Sequence, residues 1–146
     1  MKQELLKKEC IKLNVNAKNW EDAISIAGNL LVNNNFIKKE YITAIIEMVK
    51  ELGPYIVITD GVAIPHARPE DGVIKLGYSL ITLDPPINFG NPDNDPVKLI
   101  VCIAAIDNNS HIDLITKLVN LINNDKLAEI INAKAIETVL KIFNED

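Results

Sequence analysis

The sequence predicts an α/β protein that consists of one β-sheet with helices on both faces. Apolar residues recur at helical spacing towards both ends of the 146 residues, whereas the middle contains short β-type runs separated by turn signals. One of these runs, residues 97–106, is almost continuously apolar, which is typical of a strand covered on both faces. Because no internal repeat or linker interrupts the pattern, we expect residues 1–146 to form a single domain.

The N-terminal third predicts one strand and two helices. The strand is expected at residues 10–15. Asn19 is a candidate N-cap for the first helix, which ends at the asparagine run of residues 33–35. The second helix covers about residues 38–52, and the glycine and proline at positions 53–54 stop it.

The middle of the chain predicts the rest of the sheet. Residues 55–58 and 62–64 are short strands separated by a turn, and residues 74–83 form a longer strand. An Asp-Pro-Pro sequence at residues 84–86 closes this strand. A polar loop at residues 90–96 then precedes the last apolar strand.

Three helices are predicted at the C-terminal end. Ser110 with Asp113 three residues later resembles a capping box, so the first of these helices begins beside Ser110. Two shorter helices are expected near residues 125–131 and 134–143.

Composition and charge exclude several classes of function. The net charge of −5 argues against nucleic-acid binding, which rests on clustered Lys and Arg, and gives no basic surface for an anionic membrane. No apolar run is long enough to span a bilayer, so we expect no membrane insertion. The N-terminus mixes charge signs and lacks the apolar core of a signal peptide, which predicts a cytoplasmic protein.

The sequence predicts no metal site. Cys10 and Cys102 are far apart and lack the close Cys or His spacing of zinc ligands, so we expect both to be reduced and inert. Three carboxylates lie in turns rich in Asn and Pro, where solvated turn residues are expected: Asp93, Asp95 and Asp107.

His66 is the first candidate for chemistry. It follows a short apolar strand that Pro65 ends, because proline has no N–H and a fixed φ. Imidazole is nucleophilic at neutral pH, and the small Ala63 and Ala67 leave room beside the ring. From composition and spacing alone, a loop histidine without a function remains equally compatible.

His111, Ser110 and Arg68 are the other candidates. His111 lies in the first helical turn after Ser110, where free backbone N–H groups and the helix dipole favour an anion. Arg68 carries a forked set of donors suited to phosphate oxygens. The alternatives are a surface histidine and a salt bridge from Arg68 to Glu70 or Asp71.

Residues 61–67 (GVAIPHA) resemble the active-site signature of the type-2 EIIA domains of the bacterial phosphotransferase system (PTS), the fructose–mannitol superfamily. Residues 97–106 followed by residues 107–111 (DNNSH) are similar to the strand and second active-site histidine of that family. Within the superfamily, residues 53–58 and 66–72 look most like the ascorbate-type EIIA proteins. The Phe-Gly pair before the acidic, Asn-rich loop gives the same indication.

The resemblance implies a fold, an activity and partners. The fold is a single mixed sheet in a three-layer α/β/α arrangement. The activity is that of a phosphotransferase: His66 accepts a phosphoryl group from phospho-HPr and passes it to a cysteine or histidine of a cognate EIIB, which serves sugar uptake through a membrane EIIC. His111 donates to the phosphoryl oxygens, and Arg68 and Ser110 are further phosphate-binding candidates. No cofactor or metal is implied.

Several points stay open at this stage. A regulatory phospho-acceptor of the same fold, not coupled to transport, is the alternative function. The imidazole nitrogen that carries the phosphoryl group depends on hydrogen bonds that the sequence does not specify. The transported sugar and the oligomeric state are equally unspecified.

Overall fold

A computed structural model describes residues 6–123 and 125–144, apart from the side chains of Asn108, Ser110, His111 and Ile122. The described part contains five strands and five α-helices. In chain order they are β1 (Leu6–Val15), α1 (Trp20–Asn33), α2 (Lys39–Leu52), β2 (Val57–Thr59), β3 (Val62–Ala63), β4 (Gly77–Ile87), β5 (Val97–Ala104), α3 (Asn108–Asn123), α4 (Lys126–Ile131) and α5 (Ile136–Asn144). A single 3₁₀ turn, Pro69–Asp71, lies between β3 and β4.

The strands form one mixed sheet in the order β1-β4-β5-β3-β2. The pairs β1–β4 and β3–β5 are parallel, whereas β4–β5 and β2–β3 are antiparallel. Because β3 and β5 are parallel neighbours, their carboxyl ends lie at the same edge of the sheet. The predicted single mixed sheet is therefore confirmed.

Helices cover both faces of this sheet. The apolar faces of α1 and α2 pack in one buried cluster, and those of α3, α4 and α5 pack in a second one. Strand β5 contributes to both clusters, since Leu99, Val101 and Ile103 lie in the second while Ile100 and Cys102 lie in the first. This alternation confirms both the three-layer arrangement and the prediction that β5 is covered on two faces.

Two predicted helix ends are confirmed by their capping residues. The side chain of Asn19 accepts a hydrogen bond of 2.8 Å from the backbone N–H of Asp22, at the start of α1. Gly53 ends α2 with φ of 88°, a left-handed value that favours glycine, and its N–H donates to Val49 O.

The boundaries predicted for β4 are wrong at both ends. The strand begins at Gly77 rather than Ile74, because residues 73–75 bond instead to Phe36 and Ile37. These contacts include an isolated antiparallel β-bridge between Val73 and Ile37. It continues to Ile87 through the Asp-Pro-Pro sequence, where the register with β5 shifts and residues 84–86 are exposed. Proline is tolerated where the register shifts, because no ladder hydrogen bond requires a backbone N–H at that point.

The predicted start of α3 is also wrong. The helix begins at Asn108, so Ser110 lies within its first turn and is not the N-cap. Asp107 occupies the position before the helix, and aspartate is as good a capping residue as serine. Within the described residues, no helix is long and apolar enough to cross a membrane.

Candidate active site

The candidate site lies at the edge of the sheet where β3 and β5 end. His66 follows the last residue of β3 by three positions, and α3 begins four positions after the last residue of β5. In α/β sheets, ligands bind in the crevice beyond the carboxyl ends of the strands. The topology thus brings His66 and the first turn of α3 to a common edge.

The imidazole of His66 is oriented by its own strand. Nδ1 lies 2.8 Å from the carbonyl oxygen of Ile64, and the ring is half-buried. Since a carbonyl oxygen only accepts, Nδ1 carries the hydrogen in this contact. In the neutral imidazole the nucleophilic lone pair is therefore on Nε2.

Tyr55 contacts the same ring from the side. The two ring centroids are 5.7 Å apart and the planes meet at 88°, an edge-to-face arrangement. The hydroxyl of Tyr55 also donates to the backbone oxygen of His66 over 3.1 Å. Burial raises the pKa of Tyr55, so its hydroxyl remains a donor at neutral pH.

The backbone on either side of His66 is fixed by residues distant in sequence. Pro65 O accepts a hydrogen bond of 3.0 Å from the N–H of Ile103 in β5. Ala67 N–H donates over 3.0 Å to the hydroxyl of Tyr41, which is fully buried in α2. These contacts explain how a histidine outside the regular strand can still have a defined position.

The local sequence explains why the strand stops here. Ile64 N–H still donates to Ile56 O over 2.8 Å, extending the pairing with the segment before β2. The next residue, Pro65, is buried and has no N–H to offer, so that pairing ends without leaving a donor unsatisfied. The direction in which His66 leaves the sheet follows from this residue.

His111 and Ser110 both lie in the first turn of α3, as the sequence predicts for a helix N-terminus at this edge. Their side chains lie outside the described residues. The structure therefore brings the backbone of this turn to the same edge as His66 but does not test the predicted roles of the two side chains.

Arg68 lies two positions after His66 and is exposed to solvent. Its backbone N–H donates over 3.0 Å to Asp71 Oδ2, within the 3₁₀ turn that begins beside it. The guanidinium forms no ion pair with any carboxylate in the part of the chain that the structure describes. The alternative of a salt bridge to Glu70 or Asp71 is thus not observed, and the side chain is exposed next to His66.

Sequence reasoning did not find Tyr41 as a site residue. Tyr41 lies on the apolar face of α2 that includes Ile45 and Val49, and helical spacing alone assigns such a residue to the core. A buried tyrosine hydroxyl needs a hydrogen-bond partner, which is the one sequence signal for a special role. The identity of that partner depends on the tertiary fold.

Asp95, one of the carboxylates considered as metal ligands, has a structural role within its own loop. Asp95 is half-buried and accepts hydrogen bonds from three backbone N–H groups, so the prediction that it is merely a solvated turn residue is wrong. Among the described side chains, no group of three or more His, Cys, Asp or Glu could hold a metal ion.

The two cysteines are free and buried. Burial raises the pKa of Cys10 to about 11 and that of Cys102 to about 12, so both are thiols at neutral pH. This environment supports the expectation that neither residue reacts.

Comparison with known proteins identifies the family. The family model described as "Phosphoenolpyruvate-dependent sugar phosphotransferase system, EIIA 2" matches residues 4–146. The chain belongs to this EIIA family. The expected family and the expected class of activity, a phosphotransferase, are thereby confirmed.

Individual members of the family are similar to this chain in sequence and in structure. The ascorbate-specific PTS system EIIA component of Escherichia coli K12 is 39% identical over 127 residues, which are 86% of this chain and 82% of that protein. The mannitol-specific cryptic phosphotransferase enzyme IIA of Escherichia coli matches with a TM-score of 0.84 and 33% identity over 97% of both chains. A chain from the Escherichia coli complex of enzyme IIAMTL with phosphorylated enzyme IIBMTL matches with a TM-score of 0.83 and 29% identity, over 97% of this chain and 100% of that one.

Proposed function

We propose that this EIIA component carries a phosphoryl group on His66, which it accepts from phospho-HPr and passes to a cognate EIIB in the cytoplasm. The observation that carries the proposal is the contact between His66 Nδ1 and Ile64 O. It directs the nucleophilic lone pair to Nε2, at the sheet edge that α3 also borders. Nε2 is therefore the nitrogen that we expect to be phosphorylated.

The transfer proceeds in two displacements. In the first, the Nε2 lone pair attacks phosphorus, and the bond between phosphorus and the donor nitrogen of phospho-HPr breaks, leaving its electron pair on that nitrogen. In the second, a cysteine or histidine of EIIB attacks the same phosphorus and the bond to Nε2 breaks. The Nδ1 hydrogen remains directed at Ile64 O throughout, so the partial negative charge of that oxygen stabilises the ring when it becomes positive.

Stabilising the phosphoryl oxygens requires donors or positive charge near Nε2, because the transition state spreads charge over three equatorial oxygens. His111 is proposed as the main donor. Arg68 and Ser110, together with backbone N–H groups in the first turn of α3, are proposed to assist it. The exposed guanidinium of Arg68, without a carboxylate partner among the described residues, is available for this task.

The partner and the cargo are inferred from the relatives. A complex of a homologous enzyme IIA with its phosphorylated enzyme IIB supports EIIB as the acceptor for this chain. Sequence relatives that are ascorbate-specific EIIA components support an ascorbate-type system, coupled through EIIB to a membrane EIIC. Neither nucleotide nor metal is required for the two displacements.

The proposal is tested by mass spectrometry of the intact protein after incubation with phosphoenolpyruvate, enzyme I and HPr. We expect the wild type to gain one acid-labile phosphoryl group and His66→Ala to gain none. His111→Ala is the matched control, because it removes the other histidine of the chain and should still gain the group. Equal labelling of the wild type and His66→Ala would overturn the assignment.

A further inference from the structure

The hydroxyl of Tyr41 lies between two strands at the point where β3 would continue. In β3 and β5, Ala63 pairs with Ile100 in parallel register, and continuing this register by three positions pairs His66 with Ile103. In a regular parallel ladder, Ile103 would donate its N–H to the residue before His66 and accept from the N–H of the residue after it. Both expected groups are present, but only one of the two bonds is direct.

The first of these ladder bonds is regular. Ile103 N–H donates to Pro65 O over 3.0 Å. The second is interrupted, because the Tyr41 hydroxyl donates to Ile103 O over 2.7 Å and accepts from Ala67 N–H over 3.0 Å. A hydroxyl has one hydrogen, and the shorter contact to Ile103 O takes it, although Ala67 O lies 3.2 Å away as well. One oxygen atom thus replaces one direct hydrogen bond of the ladder.

We propose that Tyr41 is a positioning residue for phosphoryl transfer, whose hydroxyl separates Ala67 from Ile103 and so sets the place of His66. The inference rests on the proposed function of His66. Tyr41 touches no reacting atom; it acts through the peptide that follows His66.

The position of Tyr41 makes the separation rigid. Tyr41 is fully buried in the apolar cluster formed by α1, α2 and one face of the sheet, and burial raises the pKa of its hydroxyl, so it stays protonated. Arg68, the residue after Ala67, is exposed. The bond to the Tyr41 hydroxyl is therefore the last one to a buried group before the chain reaches solvent. Without the hydroxyl, Ala67 either loses its partner or closes onto Ile103, and both outcomes displace His66.

A second buried hydroxyl that accepts a hydrogen bond from a strand provides a matched control. Thr82 in β4 is buried, and its Oγ1 accepts a hydrogen bond of 2.7 Å from the backbone N–H of Asn14, where the register of β1 and β4 shifts. Thr82→Val removes a buried hydroxyl that accepts from an irregular strand, as Tyr41→Phe does. It does so between β1 and β4, which lie on the other side of β5 from β3.

The test measures single-turnover transfer from phospho-HPr as a function of donor concentration. We expect Tyr41→Phe to lower the maximal rate about 10- to 100-fold with an unchanged half-saturating concentration, because misplacing the nucleophile by a fraction of an ångström affects chemistry and not docking. Thr82→Val should stay within about twofold of the wild type. Equal maximal rates in the two variants, with the wild type phosphorylated on His66, would overturn the positioning role.

A measurement on the wild type removes the dependence on how well the variants fold. We expect the Ala67 amide to exchange with deuterium about 100-fold or more slower than an unprotected amide, although it lies beyond the end of β3. Exchange as fast as that of an unprotected loop amide would overturn the hydroxyl bridge itself. If the wild type takes up no phosphoryl group on His66, the proposed function is contradicted instead. The exchange measurement still decides whether the Tyr41 hydroxyl bridges Ala67 and Ile103.

Discussion

Two irregular segments, residues 65–67 around His66 and residues 89–95, which include most of the polar loop, are fixed mainly by different kinds of hydrogen bond. The backbone of the first is bonded to Tyr41, Tyr55 and Ile103, each at least ten positions away, while the imidazole of His66 bonds locally to Ile64 O. The second is fixed by its own Asp95, whose carboxylate accepts the backbone N–H groups of Phe89, Gly90 and Asn91. The Asp95 carboxylate thus organises its loop by local turn chemistry, whereas long-range hydrogen bonds fix the backbone around His66.

This difference has a consequence for function. The hydrogen bonds of the Asp95 carboxylate end within its own loop, whereas the loop reaches the sheet through Asn91 and Asn94, which bond to Val57 O and to the N–H of Gly61. The His66 segment transmits any change in α2 or β5 to the nucleophile. We therefore expect changes around Asp95 to affect stability and changes around Tyr41 to affect the rate of transfer.

The largest effect is expected for His111→Ala. The backbone of residues 65–67 is bonded to Tyr41, Tyr55 and Ile103, so we expect this substitution to slow transfer about 100-fold by removing a donor to the phosphoryl oxygens and to leave that backbone in place. The measurements are the single-turnover rate and the chemical shift of the Ala67 amide, which should remain that of the wild type. A wild-type rate would show that His111 takes no part, and a shifted Ala67 amide would mean that it supports the segment.

An intermediate effect is expected for Asp95→Asn. The amide keeps one acceptor oxygen where the carboxylate has two, so the free energy of unfolding should fall by about 1–2 kcal/mol while the transfer rate stays within about twofold of the wild type. Urea unfolding measures the free energy of unfolding, and single-turnover kinetics measure the transfer rate. Asp93→Asn removes the same charge from an exposed position of the same loop and should leave both quantities unchanged. A rate loss in Asp95→Asn without one in Asp93→Asn would show that the two segments are coupled.

The smallest effect is expected for Tyr55→Phe. The ring that contacts His66 edge-on remains, and the substitution removes the bond to His66 O and a longer contact of 3.9 Å with Met48 Sδ, at a residue that is 36% exposed. A hydrogen bond of this kind contributes about 0.5–1.5 kcal/mol, so the rate should fall between about two- and tenfold with little change in thermal stability. A loss as large as that of His111→Ala would assign Tyr55 a direct part in the chemistry.

The same contrast between local and long-range interactions explains what the sequence could predict. Asn19 and Gly53 mark helix ends through their own backbone and side-chain chemistry, and both were predicted correctly. Ser110 is not the cap that it resembles, since α3 already begins at Asn108, and Asp107 before it is of an equally good capping type. Local signals thus identify an element reliably but do not choose between neighbouring caps.

The site was predictable only in part for the same reason. His66 could be identified because Pro65 ends a strand beside it, and the arrival of α3 at the same edge follows from two parallel strands. Tyr41 could not be identified, since its apolar spacing on α2 is that of any core residue and its partners lie 26 and 62 positions away. The hydrogen bond from Nδ1 to Ile64 O likewise depends on a side-chain orientation that the sequence leaves open.

The central claim, that Ile64 O directs Nε2 of His66 to receive the phosphoryl group, is tested most directly by ¹⁵N-resolved NMR of the imidazole in the phosphorylated protein. We expect phosphorus to be coupled to Nε2 of His66 and the hydrogen to remain on Nδ1, hydrogen-bonded as in the unphosphorylated protein. A phosphoryl group on Nδ1 of His66, or on His111, would contradict the claim.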